Sequence, residues 1–480
     1  MIRTSSAGSL GVADARALDA ADLAEGDAVM NAPPTSLAAS RSPRETAAFL
    51  VAVAAVGGLC CWGQGSTGTW VRLAVAVGDS EALTADIFQL STWSTLRNFW
   101  NAGAHATALV TGACTGGLPY AQLLAYLYVW FRPLDAAARG ALCGALVQTV
   151  RAQHMLTFAA ILLCVALYID APNPATGLDV EVEVVFGFGV LGFELANLGS
   201  YALAAALARA HAAEGFQAKP PGEAPLLGND FDGDDARRMA SAFETPRALA
   251  FDGTASISNA CTASTRAQRA ALAAGRALIV ANVALVWLAL TRPALRFTTR
   301  GLASKFMDRT RSRVGVVDVA KKLDGATRGL RSKRLWTAWT LTVCVLLDVA
   351  ADLALALVFF APLPPVVRRR LFSATLHLHA LASADVLWVV LANFAQNITV
   401  ISAWIIDLNA ERLCAAVERL TRFAGCMEET GAVLPGFWVL GCYAVVHNAA
   451  FLFVMALAYR GSLPPWVRRR LPRLAAGPVQ

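Results

Sequence analysis

The sequence predicts an all-α polytopic membrane protein whose eight transmembrane helices form two tandem four-helix modules. Three observations carry this. Hydrophobic residues make up 56% of the 480-residue chain and charged residues only 16%. Mean hydropathy is +0.50. The apolar residues also fall in long blocks separated by charged stretches. A soluble domain carries about a quarter charged residues, so too little polar surface remains here to coat a soluble particle, and the block pattern is that of membrane spans.

The blocks lie at about 46–62, 103–131, 154–169, 184–208, 277–291, 338–361, 384–406 and 434–459. A helix crosses the bilayer in about 20 residues; the third and fifth blocks are short, the fifth being closed in by Arg276 and Arg292. Arginines then set the orientation. Arg41 and Arg44 precede the first block, Arg132, Arg139 and Arg151 follow the second, Arg368, Arg369 and Arg370 follow the sixth, and Arg468, Arg469 and Arg470 follow the eighth. Eight spans put all of these on one side, which the positive-inside rule makes cytosolic. Acidic residues (Asp170, Asp179, Glu181 and Glu183; Asp407, Glu411, Glu418, Glu428 and Glu429) fall on the other. Residues 292–334 go against the rule, with thirteen Arg or Lys and three Asp for a net 13 − 3 = +10 on the non-cytosolic side; long loops obey it poorly.

This divides the chain into a disordered cytosolic tail at 1–45, a first four-span module at 46–208, a cytosolic linker at 209–275, a second module at 276–460 containing the basic loop 292–334, and a cytosolic tail at 461–480. The start of the chain holds five acidic residues and no apolar run, unlike a cleaved signal. In the linker, Asp230, Asp232 and Asp234 alternate as in a calcium loop. Asp235 and Ser241, however, stand where an EF-hand needs Gly and Glu, so the stretch reads as solvated chain. The modules repeat at an offset of 229: Phe131-Arg132-Pro133-Leu134 followed by Arg139 becomes Phe360-Ala361-Pro362-Leu363 followed by Arg368. Duplicated halves of membrane proteins commonly build a pathway at their interface.

A net charge of +7 and a pI near 9.0 do not indicate nucleic acid, because Arg and Lys flank the apolar blocks instead of forming an aromatic-studded stripe. The ten cysteines include no CxxC pair, so no metal site is expected. Cys414 and Cys426 share one non-cytosolic loop and are candidates for a disulfide. No nucleophile motif, metal-ligand spacing or phosphate loop is present, and neither an enzyme nor a cofactor is expected.

Several polar or helix-perturbing residues lie within the blocks. Pro119 removes a helical hydrogen bond, and Gly112, Gly116 and Gly117 lower the steric barrier to a bend or to close packing. A kinked span that lines a pathway and ordinary packing both fit. Asp348 and Asp352 are one helical turn apart and share a face, and buried ionisable groups at membrane depth usually face a cavity or a partner. The offset aligns Asp348 with Pro119. Glu194, His105 and His447 are further polar residues within the blocks, each more readily read as a satisfied structural group.

One stretch is more specific. It opens at Phe99-Trp100-Asn101-Ala102-Gly103, continues through Thr111-Gly112-Ala113-Cys114-Thr115-Gly116-Gly117-Leu118-Pro119-Tyr120-Ala121-Gln122-Leu123-Leu124, and closes at Trp130-Phe131-Arg132-Pro133. It resembles the eukaryotic-type members of the paraquat-inducible protein A family, integral membrane proteins linked to lipid trafficking, with Gly117 and Tyr120 bounding the most specific part. Leu381-Ala382-Ser383-Ala384-Asp385-Val386-Leu387 resembles the family's start to the next span, and Asp385 matches its Asp. In the first half Thr157 stands where that Asp is expected, Gln122 stands where relatives often have Lys, and the zinc-ribbon cysteines of bacterial members are missing. The resemblance implies a membrane component of lipid transport or membrane homeostasis, with membrane lipids and a lipid-carrying partner protein as partners. It makes Pro119, Tyr120, Gly117 and Asp385 pathway candidates alongside Asp348, Asp352, Glu194 and His105. The residues themselves leave two alternatives open: a proton-coupled or ion-conducting transporter using Asp348 and Asp352, and a structural membrane organiser.

Overall fold

The computed structural model describes residues 35–77, 80–167, 169–173, 178–217, 257, 261–262, 265–301, 311–325, 331–421, 428–458 and 473–474. Most of both expected tails, most of the 209–275 linker with its 230–235 acidic run, and Cys426 lie outside these residues.

Helix α1 (Pro43–Gly65) starts at a capping box: the Ser42 side chain accepts from the Glu45 N–H, Glu45 returns the bond, and Pro43 holds the first helical position. Strands β1 (Thr69–Val77) and β2 (Ser80–Leu90) follow, then α2 (Thr92–Asn101), capped by Ser91. Gly103, at φ 82°, turns the chain through a left-handed conformation that favours glycine. Beyond it α3 (His105–Thr111), a π-helical segment (Gly112–Gly117) and α4 (Leu118–Phe131) run on as one helix. A second interrupted helix comprises α5 (Ala136–Thr149), a 3-10 turn (Val150–His154) and α6 (Met155–Leu167). β3 (Ile169–Asn173) and β4 (Leu178–Phe186) then lead into α7 (Phe188–Gln217).

The second half of the chain follows. It consists of α8 (Arg266–Thr291), β5 (Leu295–Arg300), β6 (Arg311–Val314), α9 (Val316–Gly325), α10 (Arg331–Leu341), a π segment (Thr342–Leu346), α11 (Leu347–Phe360), α12 (Pro365–Leu381), α13 (Ala384–Thr421), β7 (Glu428–Val433) and α14 (Pro435–Ala458). The offset of 229 carries α4 onto the bounds of α11, and carries the first residues of α5 and α6 onto those of α12 and α13. Loop geometry is repeated too. Arg139 and Arg368 are both buried, and each donates to a carbonyl five residues back, on Leu134 and Leu363, at 2.9 Å.

Among the described residues, seven helical stretches are long and apolar enough to cross a membrane: Pro43–Gly65, Ala138–Ala166, Phe188–His211, Arg266–Thr291, Arg334–Phe360, Val366–Ala403 and Pro435–Leu457. The protein is thus predominantly helical and polytopic. The block at 103–131 is helical as expected, but its Gly, Thr, Tyr and Gln residues dilute its apolar average below that of the other seven. Two helices also start earlier than their blocks do. The fifth begins at Arg266, which removes its apparent shortness. The helix of the third block begins at Ala136, capped by Asp135, so Arg139 and Arg151 are helical residues and not loop residues.

Among the described residues two larger antiparallel sheets, besides a two-residue pairing of Cys261–Thr262 with Arg473–Leu474, depart from the expectation of helices and loops alone. The first has the order β2-β1-β4-β3 and the second β6-β5-β7. In each half the strand after the first helix pairs with the strand before the last helix, and backbone bonds close the junction: Gly187 N–H to Gly68 O at 2.7 Å, and Leu434 N–H to Ala294 O at 2.8 Å. The basic 292–334 segment therefore lies on the same side as acidic β7, with Arg300 opposite Glu428 in register. Opposite charges across a ladder are favourable.

Glycine's packing role also falls elsewhere than expected. A Cβ on Gly117 would meet nothing, and one on Gly116 would make ordinary contact with Trp93. A Cβ on Gly63 would lie 2.5 Å from the Phe193 amide nitrogen. Tight helix contacts are made instead by α1 against α7 and, through Gly275 beside Phe453, by α8 against α14. The largest apolar cluster joins Phe158 and Ile161 of α6 to Leu387, Val390 and Phe394 of α13, and so spans the two halves.

Candidate functional site

Asp348 and Asp352 stand near the start of α11, each 1% exposed, on one face as their spacing requires. Three other side chains close on them. The Tyr443 hydroxyl on α14 lies 3.2 Å from Asp348 Oδ1 and 2.9 Å from Asp352 Oδ2. His447, one turn further along α14, places Nδ1 2.6 Å from Asp352 Oδ1. From α8, Asn282 donates to the same oxygen at 2.5 Å. All five residues are buried, and the His447 ring stacks on that of His379 of α12, with centroids 4.7 Å apart. The two Asp and His447 stand out in the sequence, whereas Tyr443 and Asn282 carry no sequence signal, because they come from helices about 90 and 70 residues away.

The first half holds different polar groups on the same framework. Glu194 of α7 contacts His154 Nδ1 at 2.9 Å and also accepts from Thr157 and, at 3.3 Å, from Asn197. Thr157, where the family resemblance expects Asp, thus serves a carboxylate on another helix. Gln122 donates to Thr149 at 2.7 Å and accepts from Gln153. Tyr120 donates to Gln64 Oε1 at 2.8 Å, and Gln64 donates onward to the Thr115 carbonyl at 2.6 Å. That carbonyl belongs to the π segment, where the widened turn disturbs the backbone ladder and needs outside partners.

Pro119 is buried immediately after this π segment. The second half forms its own π segment, Thr342–Leu346, before Asp348, where no proline stands. A proline is therefore not required for such a segment. Gly117 is exposed on the outer surface of its helix, and His105 is exposed at the start of α3 beside the Trp100 ring, 4.6 Å away. Neither joins the polar interior.

Residues 43–217 and 266–458 meet along a polar seam. Arg151 donates to Asn448 Oδ1 at 2.7 Å and pairs with Asp385 at 3.3 Å. His379 Nδ1 lies 2.9 Å from Gln148 Oε1, Tyr201 bonds His377, and Asn397 donates to Thr107 at 2.7 Å. Asp385 therefore bridges the halves. Further along the same helices the interface becomes an apolar cavity, lined by Thr107 and Thr111 of α3, Met155 and Ala159 of α6, and Val390 and Phe394 of α13, with α2 beside it. Ala159 is eight residues beyond Arg151, about 12 Å at helical rise. Among the described residues no group of His, Cys, Asp and Glu has the arrangement of a metal site. No protein-family model, curated protein or solved structure matches this chain.

Proposed function

We propose that the protein is a membrane component of lipid transport or membrane homeostasis, of the kind that the resemblance to paraquat-inducible protein A implies, acting on membrane lipids with a lipid-carrying partner protein. The observation that carries this reading is the apolar cavity between the halves. A transporter of polar solutes or ions lines its path with hydrogen-bonding groups. The surface exposed inside this cavity is predominantly apolar, although Thr and Ser side chains and Asn393 also stand around it, and a predominantly apolar surface is what an acyl chain requires.

The reading takes the chain as eight spans in two copies of a four-span module. Support for the eighth span is that the helix at 105–131 repeats Arg334–Phe360, π segment included. In this topology the Arg clusters and the linker face the cytosol and both sheets face the opposite compartment. The cavity lies toward the sheets, beside Gly68 and Thr69 at the entry to β1.

The test uses protein reconstituted with a phospholipid that carries a photoactivatable acyl chain. Crosslinks are expected at Met155 and Val390, and Val390→Trp, which fills the cavity, is expected to lower them several-fold while the folded yield holds. Crosslinks confined to outward-facing residues such as Trp287 and Trp438, both exposed, would remove the basis of the proposal.

A further inference from the structure

The cluster on α8, α11 and α14 has too few hydrogens for the contacts it makes. A tyrosine hydroxyl carries one proton, yet Tyr443 Oη is within hydrogen-bond reach of both carboxylates. If both were ionised, one contact would set two oxygen lone pairs against each other. A proton on Asp348 resolves this: Asp348 donates to Tyr443 Oη, and Tyr443 donates to Asp352.

The environments of the two carboxyls assign the proton to Asp348. Asp352 receives Asn282, His447 and Tyr443 across its two oxygens, as an anion should. Among the described residues Asp348 has the single contact to Tyr443, and its Oδ2 is buried with no partner. Charge points the same way. Two carboxylates and one imidazolium leave a net −1, and an uncompensated buried ion costs several kcal/mol. The other charged or titratable groups facing the cluster do not cancel it: Asp385 of α13 adds negative charge and is itself paired with Arg151, Cys344 belongs to the π segment, and His379 lies beyond His447. Among the described residues no Lys or Arg pairs with Asp348 or Asp352.

We propose that Asp348, Tyr443, Asp352 and His447 form a proton-binding site whose loaded state is neutral, with the proton on Asp348, Asp352 ionised and His447 an imidazolium. Unloading changes only O–H and N–H bonds. Asp348 passes its proton to Tyr443 Oη, Tyr443 passes its own to Asp352, and His447 gives one from Nε2 to a water molecule, which leaves as hydronium. The product has ionised Asp348, neutral Asp352 and neutral His447, with one proton lost. His447 Nε2 is buried and has no partner among the described residues, so release waits until water reaches it. The ring stacks face to face on that of His379, whose Nδ1 lies near Gln148 of the other half, which places the cluster beside the seam between the halves. The site stands whether or not lipid is the cargo.

Infrared difference spectroscopy on the full chain in phospholipid nanodiscs at neutral pH tests it, subtracting the Asp348→Asn spectrum from that of the unmodified protein. One protonated-carboxyl carbonyl band is expected, moving to lower frequency in deuterium oxide. The same subtraction with Asp385→Asn should leave no such band. Tyr443→Phe removes the bridge without removing the proton, so it should shift the band and not abolish it, which gives a second readout if Asp348→Asn folds poorly. Absence of the band from the unmodified protein, its survival in Asp348→Asn, or its loss on adding sodium in place of protons would each overturn the proposal; the last would make this a metal-cation site. None of these outcomes bears on the lipid crosslinks.

Discussion

Glu429 offers a quantitative test of how the second sheet is held. It stands on β7, 1% exposed, accepting from the Thr299 hydroxyl of β5 at 2.6 Å. Burial pushes its carboxyl up to about 7 from an ordinary 4.5, outweighing the Thr299 bond and the nearby Lys322, which both pull it down. A carboxyl raised in this way binds its proton more tightly folded than unfolded. Between the two values the native state holds more protons, so stability falls as pH rises. It is greatest below pH 4.5, declines through the interval to about 7, and levels off above it. The interval corresponds to about 3 kcal/mol, or about two orders of magnitude in an opening equilibrium. Glu429→Gln keeps an acceptor for Thr299 and abolishes the titration. Amide hydrogen exchange, corrected for intrinsic rates, should show β5 and β7 protected about a hundredfold better in the variant at about pH 8, with the two proteins agreeing at about pH 4. Equal protection at the higher pH would refute the reasoning, because it would mean that the carboxylate bears no cost of burial.

Two further substitutions probe the interior. Gln64→Leu strands the Thr115 carbonyl and the Tyr120 hydroxyl, and thermal unfolding in detergent is expected to show a loss of about 1–3 kcal/mol for each buried group left unpaired. A double-mutant cycle of Arg151→Ala and Asp385→Asn should give a coupling of about 1–3 kcal/mol, since both side chains are mostly buried. A coupling near zero would mean that the pair does not hold the halves together.

Seven spans were legible because apolar blocks of this length are seldom used for anything but crossing a bilayer, and the helix bounds that recur 229 residues apart were legible because Pro133 and Pro362 with Arg139 and Arg368 punctuate both stretches alike. The sheets were legible in principle. Asp179, Glu181 and Glu183 alternate with Val180, Val182 and Val184 through β4, the period-two pattern of a strand, but the acidic residues invite a reading as loop. Asp348 and Asp352 were found because a one-turn spacing is local information. Their partners were hidden because contact between α8, α11 and α14 is a property of the packed bundle. Pro119 marks an irregular helix in the first half, but the π segment Thr342–Leu346 has no such marker, so proline alone does not reveal where these segments fall.

The strand pairings have a mechanical consequence. β1 leaves α1 and β4 enters α7, and the two are bonded from Thr69↔Phe186 to Val77↔Leu178; β5 and β7 tie α8 to α14 in the same manner. Each half is therefore clasped at one end, and prising its first helix from its last would unzip a ladder of backbone bonds. Between the halves there is no such clasp among the described residues, only side-chain contacts and the cavity. Any rocking of one half against the other would concentrate at this seam, where resistance is lowest. A molecule entering the cavity would act as a wedge on that joint, working against the Arg151 and His379 contacts that close its far end.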